Sequence, residues 1–96
     1  MHEGSYTGDN TDNRSITGGT FAPAYALVKS GSSGNTCDRG MQRPSTLGGE
    51  NTQYFNNIAN TNNSIQALQA DGLQLGTACH VNANGTIYHW MAFRQN

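Results

Sequence analysis

The sequence predicts an all-β fold, a small antiparallel β-sandwich or jelly-roll-like domain formed by residues 1–96 as one unit. Short segments of alternating apolar and polar residues recur between clusters of Gly, Asn, Asp, Thr and Pro, which is typical of β-sandwiches. Gly, Ser, Thr and Asn account for 41 of the 96 residues, whereas charged residues number 11. Disordered chains are usually highly charged, so this composition favours an ordered domain with an uncharged polar surface.

Six strands are predicted ahead of the closing one, each bounded by turn-forming residues. They cover residues 4–8, 14–17, 24–29, 37–43, 65–68 and 73–75. Pro44 ends the pairing of the fourth strand, because proline has no amide hydrogen to donate. Asp71-Gly72 predicts a hairpin turn between the last two.

The Asn-rich span 52–64 has no clear period. Its apolar residues Tyr54, Phe55 and Ile58 are compatible with one helical turn or with an ordered loop held by aromatic side chains. The sequence leaves both alternatives open.

The closing segment Ile87–Arg94 is predicted as a central strand beside residues 4–8. It carries the only tryptophan, Trp90, and both of its alternating faces are largely apolar. Asn84-Gly85 ahead of it suits the positive φ values of a type I′ turn, which predicts a hairpin with residues 79–81. One face is expected in the core of the domain, and the other against a second copy or another protein.

Composition and charge disfavour several classes of function. The formal net charge is −1, and Lys29 is the only lysine, whereas nucleic-acid binders need a basic face for phosphate contacts. No apolar run approaches the ~20 residues of a membrane helix. The first residues lack the basic and apolar regions of a secretion signal, so we expect synthesis in a host cytoplasm.

The two cysteines, Cys37 and Cys79, form no C-x-x-C motif. A disulfide between them would close a loop of more than 40 residues and contribute ~3–4 kcal/mol. Thiols stay reduced in a cytoplasm, which favours the free form slightly. The sequence does not decide whether the disulfide forms.

Metal and catalytic motifs are weak. Asp9 and Asp12 are calcium-ligand types, but the Gly and Glu of an EF-hand loop are not at their required positions, and Asx-turns explain both residues without a metal. The three histidines and two cysteines lack zinc-ligand spacing. The chain has no oxyanion-hole motif or close carboxylate pair. We therefore expect no enzyme activity and no cofactor.

A series of motifs in chain order resembles a family of small, concanavalin-like β-sandwich domains found in phage tail-fibre and virion-surface proteins. The matching segments are Gly4-Ser5-Tyr6-Thr7-Gly8-Asp9, Asp12-Asn13-Arg14-Ser15-Ile16, Phe21-Ala22-Pro23 with the following strand, Asp71-Gly72-Leu73-Gln74-Leu75-Gly76, Val81-Asn82-Ala83-Asn84-Gly85-Thr86 and Tyr88-His89-Trp90-Met91-Ala92-Phe93. Family members usually lie within longer polypeptides, so a chain of this length favours a free-standing virion component. The resemblance implies a fold and a setting on the virion surface, and no catalytic residues.

A glycan-binding module is the main alternative. Lectin-like sites stack an aromatic ring on the sugar and surround it with amide groups. Tyr54, Tyr88, Trp90, Asn56 and Asn57 have the required chemistry. The central place of Trp90 in an apolar strand favours a core position instead.

The expected function is therefore that of a non-enzymatic structural protein of a phage-like virion, a capsid decoration or surface protein. Its expected partners are further copies of itself, as a trimer or dimer, and the major capsid protein or another virion protein. A tail-fibre-like module that binds a receptor or cell-surface glycan is the alternative.

Overall fold

The computed structural model describes residues 1–31, 37 and 39–94. These residues form two antiparallel sheets that pack as a small β-sandwich, which confirms the predicted fold class. The elements are β1 (His2–Thr7), β2 (Arg14–Ile16), β3 (Pro23–Ser30), β4 (Met41–Pro44), β5 (Gln53–Tyr54), β6 (Ile65–Gln69), β7 (Gly72–Leu75), α1 (Cys79–Asn82) and β8 (Ile87–Arg94). No helix in the described part of the chain is long and apolar enough to cross a membrane.

The larger sheet has five strands in the order β1-β8-β3-β4-β5. β8 lies between β1 and β3, with Gly4 opposite Trp90 on one side and Val28 opposite Trp90 on the other. The prediction that Ile87–Arg94 is a central strand beside the first strand is therefore confirmed. Tyr88, Trp90 and Ala92 point into the core.

The smaller sheet has three strands in the order β2-β7-β6. β6 and β7 form the predicted hairpin, with Gln69 opposite Gly72 and the two residues between them as the loop. β2 passes so close to this hairpin that a Cβ atom on Gly72 would overlap the carbonyl group of Ile16. The contact explains why a glycine stands at the start of β7.

The core lies between the two sheets and draws on six of the strands together with α1. Its buried apolar residues are Ile16, Ala26, Val28, Met41, Ile65, Leu73, Leu75, Val81, Tyr88, Trp90 and Ala92. β3 and β4 of the larger sheet face β6 across this core. Side chains alternate along each strand, so each sheet turns one face towards this core, and two sheets are enough to enclose it.

The predicted hairpin at Asn84-Gly85 is wrong. The residues before the turn form the helix α1 instead of a strand, and only Gly85 has a positive φ, of 82°. A type I′ turn needs positive φ at both central positions. The amide of Gly85 donates to the carbonyl of Gly8 at 2.9 Å, so the turn is attached to the end of β1.

Two further segments differ from the prediction. β4 begins at Met41, whereas the predicted strand began at Cys37. Of the four additional residues in the prediction, residue 38 lies outside the described part of the chain. The span 52–64 is an ordered loop and not a helical turn, since it contains β5 and an antiparallel bridge between Thr52 and Thr61. Tyr54 packs against the core.

Candidate functional site

The most extensive candidate surface is the side of the five-stranded sheet that faces away from the core, which we call the outer face. Because side chains alternate along a strand and opposed residues share a side of the sheet, the strand register defines its members. They are Glu3, Ser5 and Thr7 of β1, Ile87, His89, Met91 and Phe93 of β8, Tyr25, Leu27 and Lys29 of β3, Gln42 and Pro44 of β4, and Gln53 of β5.

An apolar band lies in the middle of the outer face, along β8 and β3, and the exposed pair of His89 and Lys29 separates its member Ile87 from the others. Ile87 is 52% exposed and Phe93 38% exposed, while Met91, Leu27 and Tyr25 are half-buried among their neighbours. The rings of Tyr25 and Phe93 are 5.9 Å apart and tilted, a favourable geometry for an aromatic pair. The band remains uncovered in the single chain.

Polar groups border this band on the β4–β5 side. The hydroxyl of Tyr25 donates to Oε1 of Gln42 at 2.6 Å, and Nε2 of Gln42 donates to Oε1 of Gln53 at 3.1 Å. Burial raises the pKa of the Tyr25 hydroxyl. These two bonds link the side chains of β3, β4 and β5 across the outer face.

The β1 side of the outer face is polar as well and slightly concave. Glu3, Ser5, His89 and Met91 line a shallow depression of about 360 Å³. Glu3 on β1 and Lys29 on β3 have opposite charges and lie on either side of β8. Glu3 thus lies beside Met91 at the edge of the apolar band, and Lys29 lies within the band, opposite His89.

The predicted glycan site requires a correction, because Tyr88 and Trp90 are buried and cannot stack on a sugar. Trp90 is 2% exposed. The hydroxyl of Tyr88 donates to the carbonyl of Cys79 at 2.7 Å and accepts the amide of Ala83 at 2.9 Å, so the ring anchors α1 and the turn after it.

The other three glycan candidates lie elsewhere. Tyr54 is half-buried, with its ring edge-on to that of His80 at 5.4 Å. Asn56 and Asn57 are exposed. Next to them is Phe55, which is 57% exposed and rests against Gly40. Phe55 was predicted only as an apolar residue of the helical turn or ordered loop, and not as a binding residue.

The two calcium candidates form hydrogen bonds within the loop. Oδ1 of Asp9 accepts the amide of Thr11 at 3.0 Å and lies 3.3 Å from Nη1 of Arg14. The bond from Thr11 lowers the pKa of Asp9 below its usual value. Oδ1 of Asp12 accepts the amide of Asn13 at 2.9 Å and Nε2 of Gln66 at 3.1 Å. Asp9 therefore acts as an Asx-turn acceptor, whereas Asp12 accepts from the next residue and from Gln66.

Asn82 is a buried polar residue that sequence reasoning missed. Its Oδ1 accepts the amide of Asp9 at 3.0 Å and Nη1 of Arg14 at 3.2 Å, and its Nδ2 donates to the carbonyls of Thr11 at 2.9 Å and Gly76 at 3.0 Å. The side chain thus links α1 to the loop after β1. In a chain with 12 asparagines, no sequence signal distinguishes this one.

The cysteines are joined. Cys37 and Cys79 form a disulfide with a Cα–Cα separation of 5.6 Å, within the usual range for such bonds. The bond connects α1 to the segment that leads into β4. His80, the next residue of α1, lies beside it.

Comparison with protein-family models, with curated proteins and with solved structures gives no match to this chain.

Proposed function

We propose that this chain is a non-enzymatic structural protein of a phage-like virion, a capsid decoration or surface protein that assembles through its outer face. The observation that carries the proposal is the uncovered apolar band along β8 and β3, with exposed Ile87 and Phe93. Contiguous exposed apolar patches with polar borders mark sites of association.

The size of the outer face supports this role. β8 has eight residues, and at ~3.3 Å per residue and ~4.8 Å between strands the five-stranded sheet has a footprint on the order of 500 Å². Standard protein interfaces bury about 800 Å² per partner. Because protruding side chains add to the projected area, this face can supply most of one side of a stable interface.

The charges on this face are compatible with a second copy of this chain as the partner. A two-fold axis along β8 places the apolar band against itself and brings β1 of each copy over β3 of the other. Each residue keeps its level along the strand, so Glu3 of one copy faces Leu27 of the second, and Lys29 is two residues away, at ~6.6 Å. A two-fold interface uses the same surface on both subunits, and one charge of each sign on that surface avoids a net repulsion between the copies.

A census of purified virions by quantitative mass spectrometry tests the setting. A decoration protein is expected at a copy number comparable to that of the shell protein. A copy number of only a few per particle indicates a fibre or adhesin instead, and absence from particles that co-purify with their shell proteins contradicts the virion setting.

A receptor- or glycan-binding module is the second candidate, favoured by Phe55. This exposed ring is followed in sequence by the exposed residues Asn56 and Asn57, and the three have the stacking and hydrogen-bonding groups that a sugar needs. Binding to a glycan array that is lost in Phe55→Ala and kept in Phe93→Ala would support this function over assembly alone.

A further inference from the structure

A group of three metal-ligating side chains lies at the junction of α1 with the segment before β4. One ligand atom from each of Cys37, Cys79 and His80 lies within 4.8 Å of the others. No other such group occurs among residues 1–31, 37 and 39–94. The residues come from sequence positions 42 apart, so ligand-spacing motifs could not indicate this group.

Contacts with Arg39 and Tyr54 help to hold the imidazole of His80 in place. Its Nδ1 accepts the amide of Arg39 at 3.3 Å, and its ring meets that of Tyr54 edge-on at 5.4 Å. The lone pair of Nδ1 points to the Arg39 amide, so a cation that binds this nitrogen has to displace that hydrogen bond. The histidine is thus ordered beside the two sulfur atoms.

Two thiolates and one imidazole form a ligand set that zinc prefers. Zn–S bonds are ~2.3 Å and Zn–N bonds ~2.0–2.1 Å, and tetrahedral sites with three protein ligands take water as the fourth. Tetrahedral geometry with these bond lengths separates the ligand atoms by roughly 3.5–3.8 Å. That separation is within the span of the group once the two sulfur atoms are no longer bonded to each other.

We propose that Cys37, Cys79 and His80 form a redox-controlled site for a thiophilic divalent cation, best suited to Zn²⁺. In the oxidised protein the two sulfurs are joined as a disulfide and no metal binds. When a cellular dithiol supplies two electrons and two protons, the S–S bond breaks, two thiols form, and the dithiol becomes a disulfide. Zn²⁺ then binds both sulfurs with release of the two thiol protons, and water completes the tetrahedron.

This chemistry suits a protein that is made in a reducing compartment and works outside it. Thiols remain reduced in a cytoplasm, and disulfides persist in oxidising surroundings. In either state the site connects α1 to the segment before β4, first through the metal and later through the covalent bond. The link is thereby kept across the change of compartment.

The test is a titration of the reduced, full-length chain with Co²⁺, followed by displacement with Zn²⁺. We expect one equivalent per chain, with thiolate-to-cobalt charge-transfer absorption and the visible bands of tetrahedral cobalt. Loss of even an outer-shell partner weakens metal binding roughly 10–100-fold, so His80→Ala should weaken it at least tenfold. His89→Ala, on the exposed outer face, is the matched control and should bind as the unaltered chain does.

Three results would overturn the proposal. The first is that the reduced protein binds cobalt no more tightly than the Cys37→Ser/Cys79→Ser variant. The second is that His80→Ala leaves the cobalt affinity of the reduced protein unchanged. The third is equal binding by the oxidised and reduced forms of the unaltered chain, a comparison that does not depend on whether any variant folds. Circular dichroism of each sample establishes that the sandwich is intact.

Discussion

At the scale of single residues, Asn82 shows how a small β-sandwich orders a long polar loop. Its side chain uses two acceptor and two donor positions, and its partners are Asp9, Arg14, Thr11 and Gly76. The hydroxyl of Tyr6, whose pKa is raised by burial, donates to the neighbouring carbonyl of Val81 at 2.7 Å. The end of β1 and the loop after it are therefore attached to α1.

Replacing Asn82 with alanine should destabilise the protein by about 2–4 kcal/mol, since buried groups left without partners cost about 1–3 kcal/mol each and part of the loop can rehydrate. Urea denaturation measures the change. Asn84→Ala, at an exposed turn position two residues away, is the control and should stay within about 0.5 kcal/mol. Equal midpoints of urea denaturation for Asn82→Ala and Asn84→Ala would contradict the role of Asn82.

Trp90 is the largest side chain of the core, and its position decides between a packing role and a sugar-binding role. At 2% exposure, Trp90→Ala should cost ~3–5 kcal/mol of folding free energy, as large truncations in cores do. Phe93→Ala, three residues further along the same strand but on the outer face, should cost about 1 kcal/mol or less. A loss below about 1 kcal/mol for Trp90→Ala would place the ring at the surface.

At the scale of elements, the junction between β2 and the β6–β7 hairpin depends on a glycine. A Cβ atom at position 72 would overlap the Ile16 carbonyl, whereas nothing lies within 4 Å of the Cβ position at Gly48. Gly72→Ala should therefore cost about 1–3 kcal/mol through overpacking, and Gly48→Ala should be neutral or slightly stabilising. Thermal melts of the two variants make the comparison, and similar melting temperatures would argue against the close contact.

The disulfide joins α1 to the segment before β4 across 42 residues. Its reduction in the presence of a metal chelator should lower stability by ~3–4 kcal/mol, because opening a loop of this length restores entropy to the unfolded chain. Intact mass under non-reducing conditions should be two hydrogens below the value for free thiols. Two freely alkylated cysteines in the native protein would exclude the bond.

At the scale of the whole molecule, the outer face predicts association. With a two-fold axis along β8, Phe93→Lys makes the lysines of the two copies face and repel each other. Ile58→Lys is the control, because it adds the same charge in the loop after β5, at a residue that is 45% exposed. Sedimentation velocity at micromolar concentration should show a dimer for the unaltered chain and for Ile58→Lys, and a monomer for Phe93→Lys. A monomer in all three samples would remove the basis for assembly through this face.

The sequence by itself determined the class of fold and most of the strands, because alternation and turn residues act locally. β3, the β6–β7 hairpin and the central strand β8 were all predicted in this way. The two apolar faces of β8 also predicted an outer face that needs a cover. The alternation and the turn residues that support these predictions involve neighbours within a few positions along the chain.

The tertiary structure alone decided what Asn84-Gly85, Cys37 and Asn82 do. The residues before Asn84-Gly85 form α1, and Gly85 bonds to Gly8, so this turn does not close a hairpin. For Trp90, the packed sheets confirm the core position that the sequence favoured. The disulfide joins residues 42 positions apart, and three of the four bonds of Asn82 join residues 68 to 73 positions apart. Such contacts exist only after the two sheets pack, so no local pattern in the sequence specifies them.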